Sequence, residues 1–157
     1  MKHAPLPDLP SAARSESPGA SVTAGHGPAT AAEMQKSYPA MKEAIAGVRH
    51  DVAAVASFLG ASEEVIERIR LGVSEAATNV VESVFEHSSG RIHVRLSQHG
   101  ESELAVSVCD AGTAQRNVGA GRRLSFIVMR ACADALAVRQ LPAGGVEVEM
   151  RFRLRRE

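Results

Sequence analysis

The 157-residue chain has no tryptophan, one tyrosine and four phenylalanines, so its core must be built from aliphatic side chains. Its two cysteines, Cys109 and Cys132, sit inside apolar stretches with no CxxC or His–Cys spacing. That argues against a disulfide framework or a zinc site and for two reduced core thiols in a cytoplasmic protein. No apolar run approaches the ~20 residues that a membrane helix needs. The N-terminus lacks the charged, apolar and cleavage blocks of a signal peptide. Eighteen basic and eighteen acidic residues cancel, so an overall pull on nucleic acid or an anionic membrane is not a leading idea. What is present, 45% apolar and 23% charged residues, suits one globular domain of ordinary size.

Residues 1–35 differ from the rest. They hold 8 Ala, 5 Pro, 4 Ser and 3 Gly, and only Met1, Leu6, Leu9, Val22 and Met34 are bulky and apolar. So little apolar surface cannot offset the entropy of ordering the chain, and the expectation is a disordered tail followed by a domain over 36–157. Charge is also uneven, with the last third (115–157) carrying nine Arg against four acids. Such a stretch fits phosphates, an acidic partner or a solvated sheet edge.

The folded part begins near Tyr38-Pro39. Ile45, Val48, Val52, Val55, Ala56 and Leu59 recur at helical spacing until Gly60. Ser62 before Glu63 and Glu64 reads as an N-cap with acids in the first turn. A second helix then runs to about Glu86 on an apolar face of Ile66, Ile69, Val73, Ala77, Val80 and Val84. Arg91 to Ser97 alternates as a strand, and a turn at Gln98 to Glu101 leads into a second strand, Leu104 to Cys109. Leu124, Ile127, Val128, Ala131, Cys132 and Ala135 give a third helix its apolar stripe. Leu136 to Leu141 and Val146 to Leu154 read as a closing hairpin around Pro142-Ala143-Gly144-Gly145. The order α-α-β-β-α-β-β predicts an α+β two-layer sandwich, with helices on one face of a mixed, largely antiparallel sheet.

Three places offer chemistry. Glu75 and Asn79 are four residues apart on the second helix, about 40° from each other and opposite the apolar stripe. Glu82 and Glu86 share that side, as a solvated face would have it; Leu71 and Thr78 share it too, as a partly covered face would. Asp110-Ala111-Gly112 follows a strand directly, where a carboxylate can accept from a ligand amine and a glycine lets a ligand approach the backbone; a plain turn has the same residues. Gly119-Ala120-Gly121-Arg122-Arg123 leads into a helix. Free N–H groups there can cradle phosphate, and two arginines at the positive dipole end are slightly unfavourable unless an anion offsets them.

Together these stretches carry a resemblance. The run Arg70 to Glu82 resembles the N-box helix of the GHKL ATP-binding superfamily of gyrase, histidine kinases and heat-shock chaperone ATPases. Its wording is most similar to that of the bacterial anti-sigma factor serine/threonine kinases. Val108 to Gly112 resembles their first Gly box, Leu124 to Leu136 the helix after their second, Gly144 to Val148 their closing strand, and Tyr38-Pro39-Ala40 with Val48-Arg49 their opening. The resemblance implies a Bergerat-type ATP-binding fold. By family role, Glu75 would activate the attacking hydroxyl, Asn79 would hold Mg²⁺, Asp110 would receive the adenine amine and Gly112 would admit the base. Gly119, Gly121, Arg122 and Arg123 would face phosphate. The implied partners are a sigma factor and an antagonist protein that bears the target serine, and the family commonly forms dimers.

The chain also departs from that pattern. Ala114 replaces a further glycine of the first Gly box, Arg123 and Ser125 fall where two glycines are expected, and Val146 replaces a nucleotide-contacting threonine. Only ten residues, Ala111 to Ala120, separate Asp110 from Gly121, a short lid. Two functions follow: an ATP-dependent serine/threonine kinase that also captures a sigma factor, or a binding module on the same fold without kinase activity. No dimerising helix pair with a phosphoacceptor histidine precedes the domain, which argues against a sensor histidine kinase, and His50-Asp51 reads as a helix-surface pair.

Overall fold

The computed structural model describes residues 33–84, 90–110, 120–142 and 144–155, with the side chains of Val84 and of 120–123 outside the description. The elements in chain order are β1 (Glu33–Pro39), α1 (Ala44–Phe58), α2 (Glu63–Val84), β2 (Arg91–His99), β3 (Glu103–Asp110), α3 (Ala120–Cys132), β4 (Ala135–Gln140) and β5 (Val146–Arg153). The strands form one sheet in the order β1-β2-β3-β5-β4. Every pairing among the described residues is antiparallel. The expected α+β sandwich is therefore what the chain adopts. None of the described helices is long and apolar enough to cross a membrane.

Strand alternation sorts the side chains. Ile92, Val94 and Leu96 of β2, Leu104, Val106 and Val108 of β3, and Val148, Met150 and Phe152 of β5 are buried in one cluster. They meet Val48, Val52 and Ala56 of α1 and Val65, Ile69 and Val73 of α2. Ser62 caps α2 as expected, its Oγ accepting from the Val65 N–H at 3.4 Å. Gly72 lets α2 lie close to its neighbours: a Cβ there would stand 3.0 Å from the Met150 sulfur and 3.5 Å from the Cys132 Cβ. The opposite sheet face carries ion pairs. Arg95 and Arg139 both reach Glu147, at 2.9 and 2.8 Å, and Arg151 joins Glu149 to Glu103. Arg139 and Arg151, from the basic last third, are thus paired within the sheet.

Three readings need correction. A strand precedes the first helix, and it takes Glu33, Met34 and Gln35 from the stretch assigned to the tail. With Met34 and Tyr38 as its only large apolar residues, this edge strand has too weak an alternation to announce itself. Its anchor is polar: Asp51 of α1 accepts from Tyr38 Oη at 2.6 Å and Lys36 Nζ at 2.5 Å, which holds the Asp51 carboxyl below its ordinary range. Second, the buried stripe of α3 is Ser125, Met129 and Cys132, whereas Leu124 and Ile127 are 64% and 65% exposed. Both stripes have helical spacing, and only the packing of α3 on α2 chooses between them. Third, Cys132 is a buried thiol but Cys109 is half-buried on the ion-paired sheet face, because alternation turns it away from Val108. Burial, with Glu147 and Asp110 nearby, pushes the Cys109 thiol up, away from the reactive thiolate.

The β1 pairing gives a stability prediction. A chain beginning at Lys36 loses the pairs Glu33–Ser97, Met34–Leu96 and Gln35–Arg95. Relative to a chain beginning at Glu33, it should be less stable by about 1–2 kcal/mol, the scale of one partly buried methionine. Denaturant midpoints of the two truncations measure this directly.

Candidate functional site

On α2, Glu75, Asn79 and Ser83 succeed one another at four-residue intervals, so they form one row along the helix. The row is half-buried rather than a fully solvated face. Glu75 faces α3 and accepts a hydrogen bond from the buried Ser125 hydroxyl at 2.9 Å. One turn on, Asn79 lines a cavity of about 200 Å³ between α2, α3 and the sheet. Its Oδ1 is buried, and no donor among the described residues reaches it. A buried carbonyl oxygen without a partner is unfavourable by about 1–3 kcal/mol, and a cation or a donor on a ligand would relieve it.

Asp110, at the end of β3, closes the cavity from the sheet side and is only 5% exposed. Its Oδ1 accepts from the Val146 N–H at 3.1 Å, and its Oδ2 lies 3.3 Å from the Ser83 hydroxyl. Ser83 Oγ is also 2.9 Å from the Val80 carbonyl, so one proton serves two acceptors. Gly145 permits this seat: with φ +97°, a Cβ there would stand 2.4 Å from Asp110 Oδ1 and 2.7 Å from its carbonyl oxygen. The walls are apolar, from Ala76, Val80, Val108, Val146 and Val148, with Phe126 of α3 and Val138 and Gln140 of β4. An apolar slot with a buried carboxylate at its end suits a flat heterocycle that carries an amine.

The structure thus brings Asn79 and Asp110 to one cavity and leaves Glu75 a turn away, against α3. Gly112 and Gly119 lie outside the described residues. The backbone of Gly121, Arg122 and Arg123 forms the first turn of α3, and the two arginine side chains lie outside the description. In the sequence, Ser125 stands out only as a residue at an expected glycine, and Ser83, Phe126, Val138 and Gln140 do not stand out as site residues. Of those four only Ser83 has a signal, its place four residues after Asn79. A second groove of about 320 Å³, on the ion-paired sheet face, includes Cys109 and Glu147 but none of Glu75, Asn79 or Asp110.

Comparison with known proteins bears on this site. The family model for the histidine kinase-like ATPase domain matches residues 38–152. The serine-protein kinase RsbW of Bacillus thuringiensis (strain Al Hakam) is 30% identical over 80 residues, which cover 51% of this chain and 49% of that protein. The serine-protein kinase RsbW of Bacillus anthracis gives the same figures. The chain thus spans about half the length of the curated relatives it matches. The crystal structure of the RsbU and RsbW domains of Rv1364c from Mycobacterium tuberculosis superposes with a TM-score of 0.64 at 23% identity, over 80% of this chain and 33% of that one. That likeness shows the fold. With the matched region running from β1 to β5 and enclosing the whole cavity, the chain belongs to the histidine kinase-like ATPase domain family.

Proposed function

We propose that this chain is an ATP-binding anti-sigma regulatory factor that phosphorylates a serine or threonine of an antagonist protein and, in its other role, holds a sigma factor. The observation that carries the reading is the convergence of Asn79 and Asp110 on one apolar cavity, with Glu75 a turn away on the same row. Asp110 would take the adenine amine, held by Val146 and Ser83, while Val80, Val108 and Phe126 exclude water from the ring. Gly112 would admit the base to the backbone, as in the family. Asn79 fits Mg²⁺, because its orphaned Oδ1 is a hard oxygen. The remaining ligands of the ion would be phosphate oxygens and water. When bound, the ion neutralises phosphate charge during transfer. Glu75 would accept the proton of the attacking hydroxyl. A cytoplasmic place of action goes with a sigma-factor partner.

A binding module without kinase activity is the second reading. It is favoured by Arg123 and Ser125 at two expected glycines and by the short stretch between Asp110 and Gly121. Calorimetric titration with ATP, with and without Mg²⁺, separates the two. Saturable binding that tightens with Mg²⁺ supports the kinase; no heat at millimolar ATP leaves only the module.

Arg122 and Arg123 follow Gly119 and Gly121 at the start of α3, and they would compensate there for the missing glycines by holding phosphate. Changing both to Gln should weaken ATP by about 10–100-fold, the worth of one or two charge-assisted hydrogen bonds. Adenosine binding should change by less than about twofold, since it carries no phosphate for those bonds. Equal losses for both ligands would return the arginines to the solvated surface.

A further inference from the structure

In α2, the hydroxyls of Ser74, Thr78 and Ser83 bond to carbonyls of their own helix, those of Arg70, Ser74 and Val80. That is the ordinary use of a helical hydroxyl. Ser125 does otherwise. It is 8% exposed within α3, and its hydroxyl donates across the α2–α3 interface to Glu75 Oε2 at 2.9 Å. A glycine at this position, which the resemblance would place there, has no atom to reach Glu75.

The geometry points to Ser125 as the positioning residue for Glu75: its hydroxyl fixes the carboxylate through Oε2 and leaves Oε1 to receive the proton of the attacking hydroxyl. This rests on the reading of Glu75 as the base. A carboxylate on a long side chain has several rotamers, and a committed oxygen removes most of them before substrate arrives. As the attacking oxygen bonds to the γ-phosphorus, its proton passes to Oε1 and the bond to the bridging oxygen of ADP breaks. Ser125 keeps its own proton and is not the acceptor. A phosphate on it would stand beside the Glu75 carboxylate, where like charges repel.

The test uses the full chain, Mg-ATP, and release of inorganic phosphate, with water as the attacking hydroxyl. Ser125→Ala should lower turnover about 10-fold or more, as expected for a misplaced catalytic group, with calorimetric ATP affinity within about twofold because the cavity walls are untouched. Ser125→Thr, which keeps the hydroxyl, should restore most of that loss, and Ser125→Gly should behave as Ala does. In a Glu75→Gln background, Ser125→Ala should have no further effect on turnover. Without nucleotide, melting-temperature losses of Ser125→Ala and Glu75→Ala should be less than additive, since both remove one hydrogen bond. Wild-type turnover in Ser125→Ala, full additivity, or phosphate found on Ser125 by mass spectrometry overturns the positioning role alone. A wild-type protein that binds Mg-ATP without releasing phosphate to water overturns this role, and one that binds no Mg-ATP overturns the kinase reading with it.

Discussion

Glu75→Gln should lower phosphoryl transfer by about 10²–10⁴-fold, the usual worth of a general base, with ATP affinity nearly unchanged. The substitution keeps the side chain's length and an oxygen to accept from Ser125, 2.9 Å away, but removes the basic carboxylate. Affinity is spared because Glu75 lies a turn from the cavity that Asn79 and Asp110 line. Asn79→Ala should lower both turnover and Mg²⁺-dependent binding. It removes the orphaned oxygen, so binding of ATP should lose its dependence on Mg²⁺. Kinetics and calorimetry on the two variants check this split. Both should still capture a protein partner, since neither change touches the buried stripe of α2.

Gly145→Ala should be strongly destabilising. Its Cβ would overlap both the side-chain and the backbone oxygen of Asp110, and φ is +97°. Strain and overlap together predict a loss of about 2–4 kcal/mol, a fall of about 10 °C in melting temperature for a domain of this size. Adenosine affinity should fall with it, because Asp110 must move. Gly100→Ala is the control: φ is +62°, but nothing lies within 4 Å of the added carbon. It should lose only about 1 kcal/mol, from the backbone conformation alone. If the two variants melt together, contact with Asp110 is not what Gly145 provides.

The parts of the fold legible in the sequence are those whose signals are local. Ser62 with two acids marks the start of α2, a clean period of two marks β2, and a short apolar run between turns marks β3. The turns at Gly100 and at Gly144-Gly145 have the positive φ that glycine tolerates. β1 was not legible because an edge strand with one neighbour needs few apolar residues. The buried face of α3 was not legible because Leu124-Ile127 and Ser125-Met129 have equally good spacing, and the choice is made by α2. The site divides in the same way. The interval between Glu75 and Asn79, and the place of Asp110 after a strand, can be read along the chain. That Ser125 meets Glu75, or that Val138 and Gln140 of the edge strand reach the cavity, depends on helix crossing and sheet order. These are tertiary facts without a local signature.

The cavity between α2 and the sheet is the claimed seat of the nucleotide, and amide NMR titration with Mg-ATP tests it most directly. The largest shifts should fall on the Asn79 side-chain amide, on the Val146 N–H that Asp110 holds, and on the amides around Phe126. The groove on the ion-paired sheet face, around His93 and Cys109, should stay silent. Shifts confined to that groove, or none at millimolar Mg-ATP, would contradict the claim.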